Sequence, residues 1–411
     1  MAATQAPPLP AADARRARLE AVLVSVALAG NNAASYVLNV VAARLLVPAL
    51  FGELSSLLAL LVIGIVPAMG LQTAVALRVA AGGADRRSLV GLGLATSACV
   101  TAAGLLAVPL LVPLLHLSGP WPVVWLALSL GPLTLLGLFH GLLQGTRRFG
   151  LLAGLVALEG LGKVGGTMTG LLAGRASAVA LAGAALGSLV VALIGWVVCG
   201  RPRPSRFVRT AAGDVVHATQ AMLALVLLVN LDLVLARHTL PARDAGEYAV
   251  GAVITKIAYW LPQAVGVLVL PRLVHADGRR RAVPVALAVC AAIDGVFVLG
   301  AAVFGGHVIG LVGGADYAGS TMPVWPFALA GSMLSLVQIL LYARIASADR
   351  RSSALVWLAV VAEVVLVIGW LHGSTTQVVT GALLTVTGLA VGGGVVEWCD
   401  RKSYAPLHLR R

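Results

Sequence analysis

Twelve apolar runs, most of about 20 residues or longer, recur at roughly 21–43, 53–77, 89–115, 121–144, 150–173, 177–199, 215–236, 247–271, 283–312, 322–346, 353–371 and 376–398. Runs of this length can cross a bilayer. This pattern constrains the fold more than any motif does. Backbone in hydrocarbon must satisfy its own hydrogen bonds, which in runs of this length means helix. The chain is 59% hydrophobic and only 11% charged, against about 25% charged in a soluble domain. So much apolar surface cannot be hidden in a water-soluble core, so lipid is the solvent.

Charge fixes the orientation. With the N-terminus inside, the inner segments carry twenty-three basic residues and the outer ones four: Arg44, Arg175, Arg237 and Arg243. Lys163 and Lys256 fall within spans. Every inner segment is more basic than its outer neighbour, as the positive-inside rule requires. A miscounted span would break this alternation. The expectation is a multi-pass protein of the cell membrane with both termini cytoplasmic. The net charge of +13 is therefore a topology signal, not a nucleic-acid footprint.

An internal echo divides the chain. Ala43-Arg44, Pro48-Ala49, Gly52-Glu53 and Arg78 are mirrored 193 or 194 residues later by Ala236-Arg237, Pro241-Ala242, Gly246-Glu247 and Arg272. The basic stretch RPRPSRFVR at 201–209 separates six runs from six. An even number of spans per half makes the repeat parallel, about an axis along the membrane normal. The fold class is thus all-α integral membrane, with about twelve transmembrane helices in two pseudo-symmetric six-helix bundles around a central cavity. The segments are a disordered cytoplasmic N-terminus (1–20), a first bundle (21–199), a basic cytoplasmic linker (200–214), a second bundle (215–398) and a cytoplasmic tail (399–411). The first run is too long, and too polar at Asn31-Asn32, for a cleaved signal peptide.

Polar residues within spans are the candidates for function. Ser25, Asn32, Tyr36 and Asn39 share one face of the first span. They either bond neighbouring helices or line a hydrated cavity. Asp232 stands at the repeat position of Asn39, and Lys256 lies on the next, antiparallel span. An Asp232–Lys256 pair relieves two costly intramembrane charges. It is either a fixed structural pair or one that breaks during transport as the acid takes a proton. Asp294 and Glu363 are further mid-span acids, making a proton or cation site in the second bundle plausible. Glu159 and Lys163 have the spacing of a neutralising helical pair. Arg78 and Arg272 occupy equivalent inner ends. They anchor topology or clamp phosphate with a bidentate fork. Gln72 and Gln263 can bond sugar hydroxyls or a neighbouring helix.

Other functions find no support. The four cysteines, Cys99, Cys199, Cys290 and Cys399, lie about a hundred residues apart without a CxxC pair. No Walker A, HExxH, GxSxG or DxD motif appears, and no loop is long enough to hold a catalytic domain. No catalytic residue, metal site, cofactor or nucleic-acid partner is expected.

The stretch NLDLVLARHTLPARDAGEYAVGAVITKIAYWLPQAVGVLVLPRL resembles the seventh and eighth spans of the polysaccharide-biosynthesis flippases, within the multidrug/oligosaccharidyl-lipid/polysaccharide exporter superfamily. AARLLVPALFGELSSL, followed by Gln72 and Arg78, is similar to that family's first two spans. The resemblance implies two bundles working by alternating access, and movement of an undecaprenyl-linked oligosaccharide to the outer leaflet. It implies cavity cations that hold pyrophosphate and sugars, and a proton or sodium gradient as the drive. The implied partners are the lipid-linked glycan, membrane lipids, and a glycan polymerase or glycosyltransferases. Lipid II flippases usually have fourteen spans and several arginines in the first bundle, whose core here holds only Lys163. That departure argues against lipid II. Two alternatives stay open: a drug/cation antiporter of the same superfamily, and a non-transporting glycan-assembly scaffold.

Overall fold

In a computed structural model, residues 11–82, 85–206, 209–262, 276–317, 319–345 and 351–403 are described. Among them the chain is helical and forms no strand. The first half gives α1 (Ala11–Leu45), α2 (Pro48–Gly64), α3 (Val66–Ala80), α4 (Arg86–Leu106), α5 (Val108–Leu114), α6 (Trp121–Gly145), α7 (Phe149–Gly160), a π-helical turn (Leu161–Gly165), α8 (Gly166–Gly174) and α9 (Ser177–Val198). The second gives α10 (Arg209–Thr239), α11 (Ala242–Trp260), α12 (Ala276–Gly313), α13 (Trp325–Ile345), α14 (Arg351–Gly369) and α15 (Thr375–Ser403).

Local chemistry sets the breaks. Pro48 starts α2, where the preceding residue is steered out of the helical region. Asp85 caps α4 by accepting from the Arg87 and Ser88 amides. Arg175 ends α8 in the left-handed conformation, with φ of 41°. α1 begins at Ala11, inside the stretch expected to be unstructured. ADARRARLE is rich in good helix formers, which lets the first span extend outward.

Among the described residues, nine helical segments are long and apolar enough to cross a membrane. Two shorter apolar helices, Trp325–Leu340 and Ala354–Gly369, fall on the tenth and eleventh expected spans. α11 begins the eighth, the rest of which lies mostly outside the described residues. Each of the twelve expected runs therefore carries a helix.

The helices group into two compact units. One comprises Met1–Leu38, Gly64–Pro109 and Pro120–Thr219; the other comprises Asn39–Ile63, Leu110–Gly119 and Gln220–Arg411. In the first unit α6, the fourth span, packs on α3, α4 and α9. In the second, α13, the tenth span, packs on α11, α12 and α15. In repeat terms these are the same partners: the second, third and sixth spans of each half. The duplication read from a handful of residues is thus repeated in the packing.

Apolar lipid offers little drive for helices to associate, so close approach through small residues matters more. The π turn, α8 and α9 show it. A Cβ added to Gly166 would lie 2.1 Å from the Gly183 carbonyl oxygen, and one on Gly183 would lie 2.0 Å from that of Gly166. The second unit instead buries an apolar cluster that includes Leu228, Tyr259, Leu334, Val337 and Val360.

Candidate functional site

The opening hairpin of the second half, α10 and α11, carries the most concentrated chemistry. Asp232 is buried on α10, and the Tyr248 hydroxyl of α11 donates to its Oδ2 at 2.9 Å. Lys256, on α11, and Glu363, on α14, both lie within electrostatic reach of Asp232. Glu363 has no solvent exposure, and neither of its carboxylate oxygens has a hydrogen-bond partner among the described residues. Two acids and one base therefore share an apolar interior. Fully ionised they carry one net negative charge, and a low-dielectric setting penalises that strongly. One proton or one monovalent cation brings the group to neutrality. The sequence placed Asp232, Lys256 and Glu363 on separate spans without linking the last to the others. It missed Tyr248, whose hydroxyl only matters once α10 and α11 are side by side.

Asp294 sits elsewhere in the second unit. The Ser335 hydroxyl donates to its Oδ2 at 2.7 Å, while Oδ1 is buried without a partner among the described residues. Asn32, Tyr36 and Asn39 are half-buried on α1. The first two fall in the first unit and Asn39 in the second.

Two cavity candidates are engaged with protein. Gln72 donates from Nε2 to Gln144 Oε1 at 3.1 Å, the neighbouring-helix alternative for that residue. Arg78 bonds Asp214 at 2.8 Å through Nε and 2.7 Å through Nη2. That pair is partly exposed, so it is worth little and is easily exchanged. Their repeat partners Gln263 and Arg272 lie outside the described residues.

The expected Glu159–Lys163 pair is not formed among the described residues. A π turn at Leu161–Gly165, which includes Lys163, interrupts the regular helix just after Glu159. Glu159 Oε2 instead lies 3.7 Å from Nε2 of His140, a buried α6 histidine that the sequence reading passed over. A lone histidine in an apolar run gives no signal until its neighbour is known.

A second missed feature joins the turns that follow the first and seventh spans, all within the second unit. Arg237, only 5% exposed, donates from Nε to the Leu115 carbonyl at 3.0 Å and approaches Glu53 Oε2 at 3.8 Å. Arg44, its repeat partner, donates to the Leu311 carbonyl. Each arginine thus reaches the end of the third span of the opposite repeat. Between them the backbones nearly touch: a Cβ on Gly246 would lie 2.0 Å from the Pro48 carbonyl oxygen. The charge count treated both arginines as ordinary surface cations, but Arg237 is a buried clasp.

No known family profile and no curated protein matches the chain. Solved structures do. The lipid II flippase MurJ, in an inward closed conformation, superposes with a TM-score of 0.74 over 90% of this chain and 86% of that one, at 12% identity. An inward-facing multidrug-resistance MATE family transporter of the MOP superfamily gives 0.69 over 91% and 96%, at 14% identity. A MATE in complex with MaL6 gives 0.61 over 93% and 96%, at 13% identity. The chain shares the all-helical fold of these solved transporters. Both flippase and drug-transporter structures superpose on nearly the whole chain.

Proposed function

We propose that the protein is a transporter that flips a polyprenyl-pyrophosphate-linked oligosaccharide or polysaccharide precursor across the cytoplasmic membrane by alternating access, for cell-surface glycan assembly. The observation that carries this reading is the α10–α11 hairpin. Its Asn230-Leu231-Asp232 and Ala245-Gly246-Glu247-Tyr248 positions resemble those of the polysaccharide flippases, and its Asp232 and Tyr248 are bonded in the interior. The physical task fits such a fold. A sugar head group loses many water hydrogen bonds in hydrocarbon, and a polar path replaces them while the lipid tail stays in the bilayer. Asn32, Tyr36, Asn39, Gln72, Arg78, Gln263 and Arg272 are the candidates for that path. In this reading Asp232, Lys256 and Glu363 take up the coupling proton or sodium ion, with Asp294 as a second acid. Both termini face the cytoplasm, and glycosyltransferases or a polymerase act on the same glycan.

A drug/cation antiporter is the second reading, favoured by the MATE structures that superpose on over nine-tenths of the chain. One assay separates the two. Proteoliposomes are loaded with labelled lipid-linked oligosaccharides and, in parallel, with cationic drugs, under imposed proton or sodium gradients. Glycan movement between leaflets above empty vesicles is the expected result. Drug movement without glycan movement transfers the assignment to the antiporter, and movement of neither leaves the scaffold.

A further inference from the structure

The first unit holds a basic cavity that the transport reading does not use. It measures about 300 Å³ and is lined by Asp85, Arg86, Arg87, Gly200, Pro202 and Arg203. Its walls come from two segments far apart in sequence, the start of α4 and the linker after α9. They are stitched together. The Ser205 amide donates to the Arg87 carbonyl at 2.9 Å, and the Arg86 guanidinium donates to the Cys199 carbonyl. A Cβ on Gly91 would lie 1.9 Å from the Ser205 carbonyl oxygen, so the linker rests directly on α4. α9 is stopped by Gly200, with φ of 81°, and by Arg201, with φ of 50°, which turns the chain back towards α4.

Three arginines line this cavity against one aspartate. Asp85 is committed elsewhere: it accepts the Arg87 and Ser88 amides and lies 3.4 Å from the Ser205 hydroxyl. Among the described residues none of the three arginines forms an ion pair. Trp196, half-exposed on the last turn of α9, donates to the Pro202 carbonyl and has the Arg201 guanidinium 6.0 Å above its ring. A tryptophan so placed sits at head-group level in a bilayer. The lining donors are planar forks matched to phosphate oxygens.

We infer that this cavity is a seat for a phosphate group, occupied by the head group of an anionic phospholipid of the adjacent leaflet or by a free phosphate. Basic pockets at helix ends on the cytoplasmic side are where such head groups dock. The seat fastens the linker that joins the two halves of the chain. It holds whichever substrate is transported.

The test uses the full chain in nanodiscs of phosphatidylcholine alone or mixed equally with phosphatidylglycerol, and in phosphatidylcholine with inorganic phosphate added. Thermal unfolding and lipid retention by native mass spectrometry are read together. The anionic lipid is expected to raise the melting temperature by about 3 °C or more. The double variant R87Q/R203Q removes two basic groups and is expected to lower apparent lipid affinity about 30-fold, at about 1 kcal/mol per residue. R147Q, a cytoplasmic-end change outside the cavity, is expected to keep the shift. If phosphate alone reproduces the shift and the double variant abolishes it, the seat takes a soluble anion. Should the double variant fold poorly, R87K/R203K keeps the charge and loses the fork, and still binds lipid more weakly. An unchanged lipid response in both double variants, or an equal loss in R147Q, overturns the seat.

Discussion

At the residue scale one matched position of the two opening hairpins differs in charge. Asn39 in the first half answers to Asp232 in the second, and the acid has the Tyr248 hydroxyl and a second carboxylate, Glu363, around it. Asp232→Asn keeps the size and removes the charge. It is expected to leave the protein folded and to reduce gradient-driven transport about tenfold or more, equivalent to about 1.4 kcal/mol. A proteoliposome rate measured with and without the gradient checks this, and an unchanged gradient response would show that the acid is structural. Tyr248→Phe removes one charge-assisted hydrogen bond and is expected to cost about 1.5–3 kcal/mol of stability, read from denaturant unfolding in detergent. The acids were legible in the sequence because a charge in an apolar run is conspicuous. Tyr248 and His140 were not, because a tyrosine or histidine in such a run is ordinary until its partner is placed beside it.

Helix elements were visible wherever lipid dictates them. Length, apolarity and the alternation of arginines are one-dimensional signals, and each of the twelve runs has its helix. What escaped were features that depend on azimuth. The Glu159–Lys163 pair is not formed among the described residues, and a π turn at Leu161–Gly165 interrupts the helix that their spacing assumed. Past that turn, Gly166 faces Gly183 closely enough that any side chain must push α8 and α9 apart. Gly166→Leu is expected to destabilise the first unit by about 1–3 kcal/mol or more, seen as a lower melting temperature and poorer detergent extraction. The clasp around Arg237 makes the opposite kind of demand. Glu53→Gln leaves the buried guanidinium with carbonyl partners only. It is expected to cost up to about 3–5 kcal/mol, and Arg237→Met in the same background should recover part of that loss. A double-mutant cycle on unfolding midpoints measures the coupling.

For the whole molecule, the repeat was readable from a few matched residues, yet their role was not. Arg44 and Arg237 looked like topology markers, and each proves to tie the end of its own span to the end of the third span of the opposite repeat. Substrate identity is absent from both levels for a physical reason. Helix packing in lipid is satisfied by many sequences, so likeness at 12–14% identity shows the fold while leaving the chemistry of the path free to vary. Topology is testable on its own. Reporters fused to either end are expected to be active in the cytoplasm only, and activity of either one outside would show that the span count is wrong.

The packing of α6 also sets an order of events during synthesis. The first three spans leave the ribosome before the helix that α3 and α4 pack against exists, and α9 follows later still. Until Gly145 has been made, α3 and α4 have each other but lack the helix that both pack against most extensively. The same wait recurs for α11 and α12 until α13 arrives. The duplicated architecture is therefore consolidated twice during translation, each time on the fourth span of its half.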